Sequence, residues 1–113
     1  MITKLIQSGM LAAALTVLVP AAASAGGDVE KGKELSATCA ACHGADGNST
    51  IPTNPILAGQ YESYLIRALS DYKSKARDNA IMGGFAAALS DQDIRDLAAY
   101  FSSQEPALYV PER

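Results

Sequence analysis

Apolar residues recur at three- and four-residue intervals in three stretches of the chain, and nowhere do they alternate with polar ones over a strand's length. The first stretch is Asp28 to Thr38, where Val29, Gly32, Leu35 and Ser36 share a face, Asp28 is placed to cap, and Glu30 lies near the positive end of the helix dipole. The second, Gln60 to about Lys75, carries a stripe of Tyr61, Tyr64, Leu65, Ala68, Leu69 and Tyr72. The third opens with Ser90 as cap and Asp93 three residues on, a capping-box arrangement, and buries Ile94, Leu97, Ala98 and Phe101 before ending near Ser103. Between the first two lies Gly44 to Gly59, rich in Gly, Asn, Ser, Thr and Pro, which predicts a loop that must wrap something. Ala76 to Leu89 is also predicted as loop. The tail Gln104 to Arg113, with Pro106 and Pro111, cannot continue a helix and is either mobile or laid over the surface.

The beginning of the chain follows a different pattern. Lys4 gives a charged start, Met10 to Val19 an apolar run, and Ala23-Ser24-Ala25 a small-x-small cleavage site, which together predict a secretory signal peptide over residues 1–25 and a single domain over 26–113. Gln7, Ser8 and Gly9 interrupt the run, leaving too few clean apolar residues for a membrane anchor, so no stable membrane insertion is expected after cleavage. Removing 25 of 113 residues leaves 88, with eight basic and twelve acidic side chains, because Lys4 is the only charged residue lost. Lys73, Lys75 and Arg77 are diluted by Asp71 and Asp78, so nothing in the chain forms the dense basic stretch that nucleic acid requires. An acidic domain this short has a marginal core, and a bound apolar group would add buried surface that it lacks.

Candidate chemistry is confined to Cys39-Ala40-Ala41-Cys42-His43, which holds both cysteines and the single histidine of the chain. Two thiols and an adjoining imidazole at this spacing suit covalent haem attachment: the sulfurs add across the porphyrin vinyl groups and the imidazole ligates iron. A redox disulfide would want a preceding strand and a βαβ context, whereas Cys39 follows a helix. Zinc would need a fourth ligand, for which Asp46 is the nearest carboxylate in sequence. A structural disulfide across two residues would be strained and would give His43 no role. Haem c explains all three side chains.

Met1 and Met10 fall in the signal peptide, so Met82 is the one methionine of the mature chain, 39 residues after His43. It precedes Gly83 and Gly84, which allow close backbone approach to a flat ligand. Core filling is the common fate of methionine, but this setting makes Met82 the candidate sixth ligand of the iron. Iron held by His and Met keeps its ligands in both oxidation states, and the soft thioether favours the ferrous one. That is the chemistry of a one-electron carrier, not of an enzyme, since a peroxidatic or ligand-binding haem needs an open iron position.

The stretches Gly27 to Gly32, Cys39 to Ser49, Leu57 to Gln60, Tyr64-Leu65, Leu89 to Ile94 and Leu97 to Phe101 make the chain resemble the class I c-type cytochromes, most of all the small bacterial branch of cytochromes c-four and c-five. The resemblance implies an all-α class I fold of three main helices, with loops wrapped around one covalently bound haem c. It implies that Gly32 meets Tyr100 or Phe101 where the first and last helices cross, although Ser36 replaces an aromatic residue found in mitochondrial relatives. It implies that the Pro55 carbonyl accepts the ring proton of His43, with Pro52 as rival, and that haem is attached outside the bacterial cytoplasm, so the destination is periplasmic. Leu57, Tyr64, Leu69, Phe85 and Leu97 are candidates for packing against the haem, and each would serve equally as core. Expected partners are redox proteins that dock transiently. The alternative is a haem subunit bound permanently to a periplasmic dehydrogenase, for which Tyr61, Tyr64 and Tyr72 could form a patch.

Overall fold

In the computed structural model, residues 26–108 are described; the predicted signal peptide and the end of the tail, 109–113, lie outside them. The described residues form five α-helices and no strand: α1 Val29–Leu35, α2 Ala40–His43, α3 Glu62–Ser74, α4 Ala80–Ala87 and α5 Asp91–Ser102, with a short 3-10 turn, Ser36–Thr38, between the first two. Each predicted helix is present, and the two with a nominated cap, Asp28 and Ser90, start there. The Asp28 carboxylate accepts the Lys31 N–H at 3.0 Å and caps α1. At α5 the box is complete: Ser90 Oγ accepts from Asp93 N at 3.0 Å and Asp93 Oδ2 accepts from Ser90 N at 2.8 Å.

That box yields a first prediction. Ser90→Ala is expected to destabilise the fold by about 1 kcal/mol in chemical denaturation. The Ser90 N–H also holds the Asp93 carboxyl below its ordinary 3.8. A depressed folded value means that the stabilisation is complete above 3.8 and fades as the pH drops below it.

Helix α5 is the centre of the fold, packing on α1 along one side and on α3 along another. Leu97, Ala98, Tyr100 and Phe101 join Leu65 of α3 in the buried cluster, with Leu35, Cys39, Leu57, Ile66, Leu69 and Leu89 at its margins. The α1–α5 crossing depends on a missing side chain. A Cβ on Gly32 would lie 1.9 Å from the Asp96 carbonyl oxygen and 2.7 Å from Tyr100 Cβ, so only glycine permits this approach. Of the two expected aromatic neighbours, Tyr100 is the one met. The crossing is also pinned by Asp96, whose buried carboxylate accepts from Asp28 N at 2.8 Å and Gln92 Nε2 at 2.7 Å.

One expectation is overturned. Ala76 to Leu89 is not a loop: eight of its residues form α4, with Met82 in the first turn. Asn79 Oδ1 accepts from Ile81 N and Met82 N at 3.1 and 2.9 Å, and Ala86 is fully buried. Capping and burial outweigh the helix penalty of Gly83 and Gly84. The described part of the tail is laid on the surface: Asn48 Nδ2 donates to the Glu105 carbonyl at 3.0 Å and Asn48 Oδ1 accepts from Ala107 N at 2.7 Å.

Candidate functional site

Cys39, Cys42 and His43 sit on one turn because the 3-10 segment runs straight into α2, with Cys39 ending the first and starting the second. Backbone bonds from Cys42 N and His43 N to the Cys39 carbonyl, at 3.2 and 2.9 Å, close this turn. Gly44, at φ +83°, ends it in a conformation that L side chains rarely adopt. Both cysteines are free thiols, Cys39 half-buried and Cys42 exposed. Burial pushes the Cys39 thiol above its ordinary value, the opposite of what a reactive redox cysteine needs. Asp46, the carboxylate a zinc site would borrow, is bound to Asn48 through both oxygens, at 3.0 and 2.9 Å.

The His43 ring is buried, and its Nδ1 lies 2.8 Å from the Pro55 carbonyl oxygen. A carbonyl can only accept, so Nδ1 carries the proton and the lone pair is left on Nε2. It is Pro55, not Pro52, that faces the ring. The loop bearing Pro55 is fastened back to α2, since the Cys42 carbonyl accepts from Asn54 Nδ2 at 2.9 Å and from Ser49 Oγ at 3.2 Å. Tyr100 Oη adds a bond to the Ala45 carbonyl at 2.8 Å, tying this region to α5. None of these fastenings was legible as a motif; the only signal for Ser49 and Asn54 was their place in a loop rich in turn formers.

The remaining candidates are spread over other elements. Met82 is half-buried on α4, and Phe85, one turn further, shares its helix face. Tyr64 and Phe85 are about half exposed, at 50% and 48%, and so are not core residues. Leu97 is core, at 2% exposure, while Leu57 and Leu69 border it. The structure therefore brings Cys39, Cys42, His43 and Pro55 into direct association and sets Met82 and Phe85 on a helix of their own, held against α3. Among the described residues no helix is long and apolar enough to cross a membrane.

An all-helical shell in which the first and last helices cross at a glycine, around one turn bearing two thiols and an oriented imidazole, defines a class I c-type cytochrome fold. Residues 29–105 match the family model described as Cytochrome c, and the chain belongs to that family. It is 48% identical to cytochrome c4 of Pseudomonas aeruginosa over 102 residues, which is 90% of this chain and 49% of that protein. It is 46% identical to cytochrome c-554(548) of Halomonas halodenitrificans over 82 residues, 70% of this chain and 99% of that one. Among solved structures, reduced recombinant cytochrome c4 from Pseudomonas stutzeri superposes with a TM-score of 0.69 at 46% identity, over 73% of this chain and 48% of that one. The chain thus spans about half the length of the cytochrome c4 proteins that it matches. Membership of the cytochrome c family implies covalently bound haem c.

Proposed function

We propose that the protein is exported to the periplasm and carries single electrons between redox proteins on one covalently attached haem c. The observation that carries this is the Cys39–Cys42–His43 turn, with its imidazole fixed by Pro55. The donor set fits the group: two free thiols one helical turn apart, and a histidine whose tautomer leaves Nε2 able to ligate. When bound, the haem supplies a one-electron iron couple.

The rest is done by the chain. Cys39 and Cys42 would anchor the group by thioether bonds, each thiol adding across one vinyl group. His43 supplies Nε2, and its bond to the Pro55 carbonyl prevents ring rotation and strengthens the nitrogen as a donor. Met82 would supply a soft thioether sulfur to the iron, which would favour the ferrous state and raise the potential. Leu57, Tyr64 and Phe85 offer apolar surface to the macrocycle. With His43 and Met82 both holding the iron, the group would supply outer-sphere one-electron transfer, and no proton-transfer catalyst would be required. Partners dock briefly, so the carrier is expected to elute as a free monomer when purified from its native host, whereas a permanently bound dehydrogenase subunit would elute with its enzyme.

The attachment is tested by intact mass on protein exported from a host that matures c-type cytochromes. The expected mass is that of the chain from Gly26 plus one haem, with neither cysteine open to alkylation. Two alkylatable thiols, or a retained leader, would contradict it.

A further inference from the structure

A groove of about 450 Å³ lies against the loop that orients His43, walled by Ile51, Pro52, Pro55 and Ile56 and, from the tail, by Leu108. No charged residue lines it. Ile51 is 43% exposed and Leu108 72%, so two large aliphatic side chains of one groove face water. The loop matters to the site because the Pro55 carbonyl lies 2.8 Å from His43 Nδ1, and because Ser49 and Asn54, which also line the groove, donate to the Cys42 carbonyl. Whatever seats in the groove bears on the group that holds the imidazole.

The chain itself is led to the mouth of this groove. Asn48 grips the tail at the Glu105 carbonyl and at Ala107 N, at 3.0 and 2.7 Å. Between them Pro106 lies over Gly59, where an added Cβ would come within 2.9 Å of its ring. Leu108 then forms part of the wall, and the next residues are Tyr109, Val110 and Pro111, uncharged and mainly apolar, before Glu112 and Arg113. Three extended residues span about 10 Å, the scale of the groove. They bring no charge to be desolvated, and the proline has no N–H to leave unpaired. Any other occupant would compete with a segment tethered at the mouth, whose effective concentration is on the order of millimolar.

We propose that Tyr109, Val110 and Pro111 seat in this groove as a strap over the loop bearing Pro55, holding its carbonyl against His43 Nδ1. Tyr109 and Val110 cover apolar surface that Ile51 and Leu108 expose. The strap residues position His43 through Pro55 and touch neither the imidazole nor the haem. The same strap serves a free carrier and a bound subunit alike.

Hydrogen exchange read by mass spectrometry on the haem-loaded protein tests this, comparing the full chain with two variants. One ends at Leu108; the other keeps the full length and carries Tyr109→Ser and Val110→Ser, so that chain length and apolar content are separated. Backbone amides of residues 50–56 are expected to exchange about tenfold faster in both variants, the loss of two partly covered side chains, while those of the connection between α3 and α4 exchange as before. The reduction potential should rise in both, because a loosened bond to Pro55 makes His43 a weaker donor. Equal exchange at 50–56 in all three proteins, or acceleration spread evenly along the chain, would overturn the strap. Protection of 50–56 that grows with protein concentration would give the groove to a second copy and overturn it as well. An unchanged or lower potential would overturn the hold on His43. Intact mass and reversible reduction are read on the same samples, so a failure of haem attachment or of electron carriage is told apart from a failure of the strap.

Discussion

Replacing Met82 with Ala in the haem-loaded protein is expected to abolish the weak red-end absorbance of thioether ligation and to lower the reduction potential by on the order of 100 mV or more, within the ~0.8 V over which axial ligands set haem potentials. Cyanide should then bind the ferric form rapidly, because one axial position has become exchangeable. The effect is specific to position 82. Phe85 shares the helix face, but its ring carries no donor atom, so Phe85→Leu should keep the red-end band while loosening the packing around it. A Met82→Ala protein with an unchanged spectrum would remove methionine from the iron, and with it the strongest reason to read the chain as a carrier in place of a ligand-binding haem protein.

The second large effect concerns the frame, not the iron. Gly32→Ala would put a Cβ 1.9 Å from the Asp96 carbonyl oxygen, in a contact made of backbone that cannot rotate away. Helices α1 and α5 would have to separate, opening the seam that Asp96 closes with Asp28 N. The expected loss is about 3 kcal/mol or more, a drop in Tm of roughly 15 °C for a domain of this size. Thermal melting of the haem protein measures it. A variant that melts within a few degrees of the parent would show that the crossing has slack, contrary to the close approach seen here.

Those two predictions differ in how early they could be made. Gly32, Asp28 and Ser90 were legible because their signals are local or repeat a family pattern: a cap accepts an N–H three residues on, and a glycine recurs where two helices cross. The Cys39–His43 turn was legible for the same reason, since its chemistry needs five adjacent residues. The count of methionines singles out Met82, but the residues beside it do not reveal its setting. Met-Gly-Gly resembles a turn, and the helix it occupies follows from Asn79 capping and from packing on α3, neither of which glycine content reveals.

Long-range partners were the least visible. Asn48 holds the backbone at Glu105 and Ala107, 57 and 59 residues away, and nothing in the sequence around either end marks the pairing. Ser49 and Asn54 looked like ordinary loop formers, yet both donate to the Cys42 carbonyl and so fix the turn that bears the ligands. Pro55 was reached only through resemblance, and the structure supplies its physical content, a carbonyl 2.8 Å from His43 Nδ1. The αL backbone of Lys75 and the open space over Gly84 exist only in three dimensions.

A spectroelectrochemical titration of the purified, exported protein tests the central claim most directly, because it reads haem count, ligation and electron carriage together. A single reversible one-electron wave is predicted, with the red-end thioether band present in the oxidised form and restored after each cycle. Two waves, an irreversible reduction, or an oxidised spectrum without that band would contradict a single His43/Met82-ligated haem acting as a carrier.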